Sequence, residues 1–319
     1  MKKRAIVTGG AGFVGSHLVE KLLLNGWHVT VIDNYDPFYD KAIKKRNIEK
    51  FSQHPNLVFL EIDIRNFDSL KENLSGDYNV IIHLAAKAGV RPSIENPMAY
   101  QSVNVMGTQN LLEISKLLNI KQFVFASSSS VYGVNPNVPW SESDFVLKPI
   151  SPYASTKISG ELLGHVYSEL YGLRFIALRL FTVYGPRQRP DLAIHKFASK
   201  ILENEPIPVF GDGSTRRDYT FVEDIVSGIL AAVEYDKTKY EIINIGNNRT
   251  ISLSHMIETI ENVFNKKAII NRLPMQPGDV LETYANVNKA QQLLNYRPSL
   301  SFEEGIEKFK EWFSLVTQD

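Results

Sequence analysis

The sequence predicts an α/β fold, a doubly wound parallel sheet followed by a smaller C-terminal α/β region. Three observations predict it. Short apolar runs of strand length alternate with amphipathic stretches of helix length over residues 1–181, the signature of successive strand–helix units. A glycine-rich turn joins the first apolar run to the first helix. Acidic residues, Asp33 and Asp63, close the second and third runs, at the carboxyl ends where open parallel sheets gather ligands.

Composition narrows the class. A chain of 319 residues can bury one large core or two modest ones, and 44% apolar with 22% charged residues is ordinary for a soluble globular protein. Lys+Arg and Asp+Glu balance at 35 each, so no basic field points to nucleic acid or a membrane surface. The absence of cysteine excludes disulfides and thiolate metal sites and fits a reducing compartment; no metal is expected. The start MKKRAIVTGG reaches glycine after three apolar residues, too soon for a signal-peptide core, and no stretch approaches a membrane span. The expectation is a cytoplasmic, soluble protein.

Taken in order, Arg4–Thr8 reads as a buried strand and GGAGFVGSHLVEKLLLNG as a tight turn opening a helix. Gly10-x-Gly12-x-x-Gly15 and Gly9-x-x-Gly12-x-x-Gly15 both fit a dinucleotide fingerprint, in which glycines let a pyrophosphate approach the helix N-terminus. The strand HVTVID then ends in Asp33, eighteen residues past Gly15, where a carboxylate accepts hydrogen bonds from ribose hydroxyls and favours NAD over NADP. LVFLEID (57–63) is the third strand and NVIIHLAA (79–86) the fourth, its Ala85-Ala86 end small enough for close cofactor approach. His83, on an apolar strand, reads as a packed core histidine. Residues 94–118 read as one long helix containing Asn104 and Gly107, and QFVFA as the fifth strand.

The serine run 127–130 follows, then Ser151-Pro152-Tyr153 and, four residues later, Lys157. Ser151 is a natural N-cap and Pro152 a natural first helical residue, so Tyr153 and Lys157 share one face of the opening turns. An ammonium favours the phenolate form of a neighbouring tyrosine; bringing the phenol from a pKa of about 10 to near 7 takes roughly 4 kcal/mol. Spacing alone is weak, because Tyr235 and Lys239 repeat it in a stretch with no other sign of chemistry. RFIALRLF (174–181) is the sixth strand. The predicted division is residues 1–181 as a Rossmann cofactor domain, with 220–264 returning to it, and 182–219 with 265–319 as the substrate-binding region. The last crossover is expected at Asn265–Lys267.

The ordered set GGAGFVG, Asp33, LAA, SSSSVYG, YASTK and GDGSTRRDYTF resembles the extended short-chain dehydrogenase/reductase family of nucleotide-sugar epimerases and dehydratases, over nearly the whole chain. Within that family, DNYDPFYDKAIKKRNI, KAGVRPSIENP, VYGPRQRPD and LPMQPGDVLETYANV are most similar to UDP-glucuronate 4-epimerases. The resemblance implies a homodimer with tightly bound NAD and a UDP-sugar in the cleft between the two regions. It implies a 4-epimerase in which hydride leaves C4 for NAD, the 4-keto sugar rotates, and hydride returns to its other face. Tyr153 would be the base, Lys157 would bind the nicotinamide ribose, and Ser128 would hydrogen-bond the 4-hydroxyl. NAD would be held by Gly9, Gly12, Phe13, Val14, Gly15, Asp33, Asn34, Asp63, Ile64, Leu84, Ala85, Ala86, Lys87, Asn104, Ser127, Tyr153 and Lys157. The UDP-sugar would meet Ser128, Tyr153, Thr182, Arg189, Arg91, Val209, Phe210, Arg217 and Asp279, with Val209 and Phe210 flanking the uracil and Arg217 on the pyrophosphate. Many relatives have Arg-Pro-Gly-Asp where this chain has Gln276-Pro277-Gly278-Asp279.

Ser129 and Ser130 carry information too. Dehydrating relatives place Asp-Glu here, and elimination needs an acid and a base that two serines do not supply. For a sugar carboxylate the candidates are Arg187 and Arg189, since guanidinium suits bidentate recognition; alignment through Thr182 favours Arg189. The competing expectations are a 4-epimerase for a neutral UDP-hexose or N-acetylhexosamine, a UDP-glucuronate decarboxylase, and a catalytically inactive NAD-binding scaffold.

Overall fold

The computed structural model describes residues 3–144, 148–275 and 280–317. Seven parallel strands form the central sheet, in the spatial order Tyr240–Ile245, Arg174–Leu180, Gln122–Ser128, Val80–His83, Arg4–Thr8, His28–Ile32 and Leu57–Leu60. The chain starts in the middle, adds two strands on one side, then returns to Val80–His83 on the other. That reversal opens a crevice at the carboxyl ends of the first and fourth strands.

The side-chain alternation of each strand feeds two apolar layers. Ala5, Val7, Val29, Val31, Val80, Ile82, Val124, Ile176 and Leu178 face one layer. Ile6, Ile32, Ile81, Phe123, Phe125, Phe175 and Ala177 face the other, the period of two that a strand imposes. Helices cover both layers, so the apolar runs are buried on both faces, as parallel sheets require.

A second core lies beyond the sheet, where Ala193–Leu202, Leu253–Phe264 and Phe302–Thr317 pack through Ile194, Phe197, Met256, Ile260, Phe309 and Phe313. Of residues 220–264, Val222–Glu234 and Tyr240–Ile245 pack with the first core. Leu253–Phe264 instead puts Met256, Ile257 and Ile260 into the second. Val14 and Val183 touch both cores, so the seam runs past the first helix, Phe13–Leu24.

Two strand ends and one helix depart from expectation. The third strand stops at Leu60 and the fourth at His83, which leaves Asp63 and Leu84–Ala86 in loops above the sheet. The expected helix 94–118 is broken into Val90–Glu95, Pro97–Tyr100, a wider π-helical turn Gln101–Met106, and Gly107–Leu117. Pro97 is the cause: it disfavours helical backbone in Asn96, which adopts φ −137°, ψ 67° and caps the next segment. Among the described residues, no helix is long and apolar enough to cross a membrane.

The junction between the sheet and the second core is pinned by one buried carboxylate. Asp218 accepts hydrogen bonds from the Asn247, Asn248 and Ala285 amides and the Thr220 hydroxyl, at 2.7–3.2 Å, while its own carbonyl receives the Thr182 amide. Burial pushes its pKa up to about 6 despite those donors. Asp218→Asn turns one acceptor atom into a donor facing amide N–H groups; a stability loss of about 1–3 kcal/mol is expected, read as a lower urea midpoint with unchanged slope.

Candidate active site

The glycine turn is shaped by close approach. A methyl group on Gly15 would lie 2.1 Å from the Gly9 carbonyl oxygen, and Gly9 itself holds φ +72° with no room for a side chain beside Ala85. The helix that follows begins at Gly12 with no side-chain cap. Its first-turn N–H groups therefore face the crevice unpaired within the helix, which makes an anion site.

Those residues open one cavity of about 370 Å³ at the carboxyl end of the sheet. Gly9, Gly12, Phe13, Val14, Gly15, Asp33, Asn34, Asp63, Ile64, Leu84, Ala85, Ala86, Lys87, Ser127, Ser128, Tyr153, Lys157, Thr182 and Arg189 all line it. At its far end from the serines, Asp33 is buried and accepts the Ala11 amide at 3.1 Å and the Tyr35 amide at 2.8 Å, one on each oxygen. Each oxygen keeps a lone pair for a ribose hydroxyl. Asn34 donates to Asp63 at 2.9 Å, and the Arg65 fork grips the same carboxylate, holding its pKa near 2. A pocket with uncapped helix amides, a diol acceptor and small Ala85–Ala86 walls fits a dinucleotide.

The other end is assembled where the helix Pro152–Tyr171 lies on the end of strand Gln122–Ser128. The Ser151 hydroxyl accepts the Ala154 amide at 3.1 Å and Pro152 is the first helical residue. Tyr153 and Lys157 face the strand end. The Lys157 ammonium donates to the Ala126 carbonyl at 2.7 Å and sits 5.8 Å from the centre of the Tyr153 ring. Burial lowers the lysine's pKa to about 8, against the upward pull of Glu161. Burial also raises Tyr153, opposed first by a hydrogen bond from Ser128 and then by the Arg189 charge. Ser128 and Arg189 thus favour the phenolate. Ser130 donates its amide to Ser128 Oγ at 3.2 Å, and the Ser128 hydroxyl donates to Ser130 Oγ at 3.1 Å; neither Ser129 nor Ser130 lines the cavity.

The two candidate arginines separate. Arg187 has φ +61° and donates to Glu20 on the first helix at 2.5 Å, away from the cavity. Arg189 lines the cavity, lies over the Phe38 ring at 5.2 Å, and pairs bidentately with Asp191 at 2.9 and 2.7 Å. Asp191 thus occupies the fork that a substrate carboxylate would use.

Several expected contacts fall elsewhere. Val209 is buried in the second core beside Ile207, because its strand turns alternate residues inward, so its side chain cannot flank a base. Phe210, its neighbour, is half-buried and lies under the Arg91 guanidinium at 4.9 Å, outside the cavity lining. Arg217 also lies off the lining, its guanidinium donating to the Arg216 carbonyl at 2.8 Å. Asn104 is buried behind the wall: it binds the Lys87 backbone on both sides, at 2.8 and 3.0 Å, and the Thr156 hydroxyl at 3.0 Å, tying the loop to the Tyr153 helix. Asp279 lies outside the described residues. His83 is a core residue, bonded to Thr8 at 2.7 Å and Thr108 at 3.0 Å, with burial lowering its pKa to about 3. Tyr235 is buried beyond the end of its helix and its motif is no site. Among the described residues no cluster of metal-ligating side chains occurs.

Sequence reading missed, among other lining residues, Asp36, Phe38, Tyr39, Lys44 and Leu192. Lys44 donates to the Asp36 carbonyl at 2.7 Å and its charge acts on Asp33. The DNYDPFYD stretch that carries three of them was visible, but nothing local fixed which side chains turn inward.

Known proteins share this arrangement. The GDP-mannose 4,6 dehydratase family description matches residues 6–309. The chain belongs to that family. It is 43% identical over 311 residues to a UDP-glucuronate 4-epimerase of Thermodesulfobacterium geofontis, covering 96% of this chain and 95% of that protein. The fold superposes on the Bacillus cereus UDP-glucuronic acid 4-epimerase, solved with UDP-glucuronic acid and NAD, with TM-score 0.91 and 38% identity, over 98% of this chain and 99% of that one. It also matches a UDP-N-acetylglucosamine 4-epimerase of Methanobrevibacter ruminantium, solved with UDP-N-acetylmuramic acid, with TM-score 0.89 and 34% identity over the full length of both.

Proposed function

We propose that this protein is an NAD-dependent UDP-sugar 4-epimerase whose substrate is UDP-glucuronate and whose product is UDP-galacturonate. One observation carries the reading: Ser128, Tyr153, Lys157 and Arg189 line the same cavity as the glycine turn and Asp33. The homologous Bacillus cereus epimerase, solved with NAD and UDP-glucuronic acid, supports it.

The Phe13–Gly15 amides would hold the pyrophosphate of NAD, Asp33 its adenosine ribose and Lys157 its nicotinamide ribose. Held by these residues, NAD would supply the acceptor and then the donor of the hydride at sugar C4. Tyr153 accepts the 4-hydroxyl proton on oxidation and gives it back on reduction. Ser128, which lines the cavity with Tyr153, would hold the same sugar oxygen. Thr182 stands at the sugar end of the cavity, on a segment fixed through Asp218. Ser129 and Ser130 bring no acid or base, so the chemistry stops at inversion rather than elimination.

The 4-keto form of a uronic acid is a β-keto acid and loses CO₂ when the carboxylate bond aligns with the carbonyl π-system. Arg189 exchanging Asp191 for the sugar carboxylate would hold that bond near the ketone plane. A second reading, a neutral UDP-hexose or N-acetylhexosamine epimerase, is favoured by the same ion pair, since a neutral sugar leaves Arg189 with Asp191 undisturbed.

We further infer a homodimer. The helices Gly107–Leu117 and Pro152–Tyr171 lie side by side and turn Leu117, Leu162, Val166, Leu170 and Tyr171 outward, with Leu162 59% and Leu170 68% exposed. Leu162, Val166 and Leu170 are spaced by four, so they form one apolar stripe. A partner that buries this face accounts for it. The lack of cysteine supports a reducing compartment such as the cytoplasm.

Three tests follow. Purified protein incubated with UDP-glucuronate and no added NAD should yield UDP-galacturonate alone by proton NMR; UDP-xylose or no change overturns the reading. Arg189→Ala should lower kcat/KM on UDP-glucuronate about 10-fold, since only the difference between its pairing with the sugar carboxylate and with Asp191 is lost, and release some UDP-pentose. Full turnover on UDP-glucose or UDP-N-acetylglucosamine in that variant would favour the neutral-sugar reading. Leu162→Asp with Leu170→Asp should convert a sedimenting dimer into a folded monomer; an unchanged mass would remove the stripe as the interface.

A further inference from the structure

The helix Pro152–Tyr171 continues its inward face one turn past the lysine. Glu161 stands four residues after Lys157 and eight after Tyr153, and it is 4% exposed. Three consecutive residues of the neighbouring strand meet these three side chains. The Ala126 carbonyl receives Lys157, the Ser127 hydroxyl donates to Glu161 Oε1 at 2.5 Å, and Ser128 lines the cavity with Tyr153 and opposes the upward shift of its phenol. Arg179, the register partner of Ser127 on the next strand, closes the arrangement with Nε and Nη2 on the two Glu161 oxygens at 2.9 and 2.8 Å. The Arg179 guanidinium lies 4.7 Å over the Tyr132 ring, and both partners are almost sealed from solvent.

A buried ion pair of this kind is a poor way to gain stability, because desolvation consumes most of the attraction and an apolar pair would serve as well. Its position suggests another use. We propose that Glu161 is a positioning residue for Tyr153 and Lys157: clamped by Arg179 and Ser127, it locks the helix in register against the strand end and sets a fixed negative charge beside the Lys157 ammonium. Gly160 is part of the fit, since any side chain there would strike the Phe125 ring at 2.4 Å and lift the helix.

The other groups around Lys157 do not provide that charge. From its own helix Tyr153 is a neutral phenol, raised by burial. From the strand Val80–His83, His83 repels the ammonium only when protonated, and burial keeps it neutral. The strand Gln122–Ser128 offers a carbonyl and the Phe125 ring at 5.0 Å. Tyr100 meets Tyr153 edge-on and Arg189 acts on Tyr153. Among the described residues, Glu161 is the charge that opposes the burial of Lys157, and Arg179 pairs with Glu161.

The inference rests on Tyr153 and Lys157 being the acid–base pair of the proposed reaction, so its test reads the lysine directly. Lysine ammonium ¹⁵N NMR, with the Lys157 signal assigned by its loss in Lys157→Met, gives the titration midpoint whether or not a sugar turns over. Glu161→Gln, which leaves Arg179 unbalanced, should move that midpoint down by about one pH unit, the size expected of one charge about a helical turn away in a protein interior. The alkaline limb of kcat should move down with it. Arg179→Gln, which leaves Glu161 uncompensated, should move the midpoint up, and the Glu161→Gln/Arg179→Gln double variant should return it toward the native value. A purely structural pair would lower thermal stability without moving the lysine in opposite directions. If Glu161→Gln does not fold, Arg179→Gln still decides. A Lys157 midpoint that moves in neither variant overturns the proposal, while an unmoved lysine in an enzyme that epimerises normally leaves the functional reading standing.

Discussion

The molecule is organised around one contact, the inward face of the helix Pro152–Tyr171 against the last three residues of the strand Gln122–Ser128. A helix advances 1.5 Å per residue and returns to the same face every three to four residues, whereas a strand advances about 3.3 Å. Side chains at positions 153, 157 and 161 therefore share one helix face, and the strand end meets two of them with the Ala126 carbonyl and the Ser127 hydroxyl. The serine at position 127 follows from this, since an apolar residue there would remove one of the three hydrogen bonds on the buried Glu161 carboxylate.

The same burial that makes the contact firm works against its chemistry. Tyr153 is pushed above the ordinary tyrosine range and Lys157 pulled down to about 8, because a low-dielectric site disfavours both charged forms. The protein's own charges only partly reverse this. A base that must be a phenolate in such a place depends on further positive charge brought by what binds beside it. Under the proposed reaction, the site would become basic when loaded and stay quiet otherwise.

Much of this could be read from local sequence, and the reason is that the readable parts are local. A glycine at Gly15 is required by an oxygen six residues back. Ser151, Pro152, Tyr153 and Lys157 act within two helical turns. Strand identity followed from uninterrupted apolar runs. The parts that escaped depend on which distant element arrives. Glu161 looks like any solvated helical carboxylate until Arg179 is seen to be the cross-strand neighbour of Ser127. Val209 seemed free to meet a base because the inward phase of its five-residue strand is set by packing on Ile194 and Phe197. The break at Asn96 was legible from Pro97, yet the apolar periodicity on either side masked it. Arg187 and Arg189 differ by two residues and face opposite ways, through a positive φ at Arg187 that no periodicity announces.

The Arg189–Asp191 pair has a consequence for how an acidic ligand would be weighed. A carboxylate arriving at Arg189 does not neutralise a bare charge; it displaces an internal carboxylate two residues away on the same loop. The count of ion pairs is the same before and after, and Asp191, 38% exposed on its side chain, passes to water. Affinity at this point is then the difference between two similar pairings rather than the full value of one. Such an exchange is nearly indifferent to ionic strength, because screening weakens both sides of it alike. Discrimination by this arginine would therefore rest on geometry, on which of two carboxylates meets the guanidinium plane squarely, and little on charge itself.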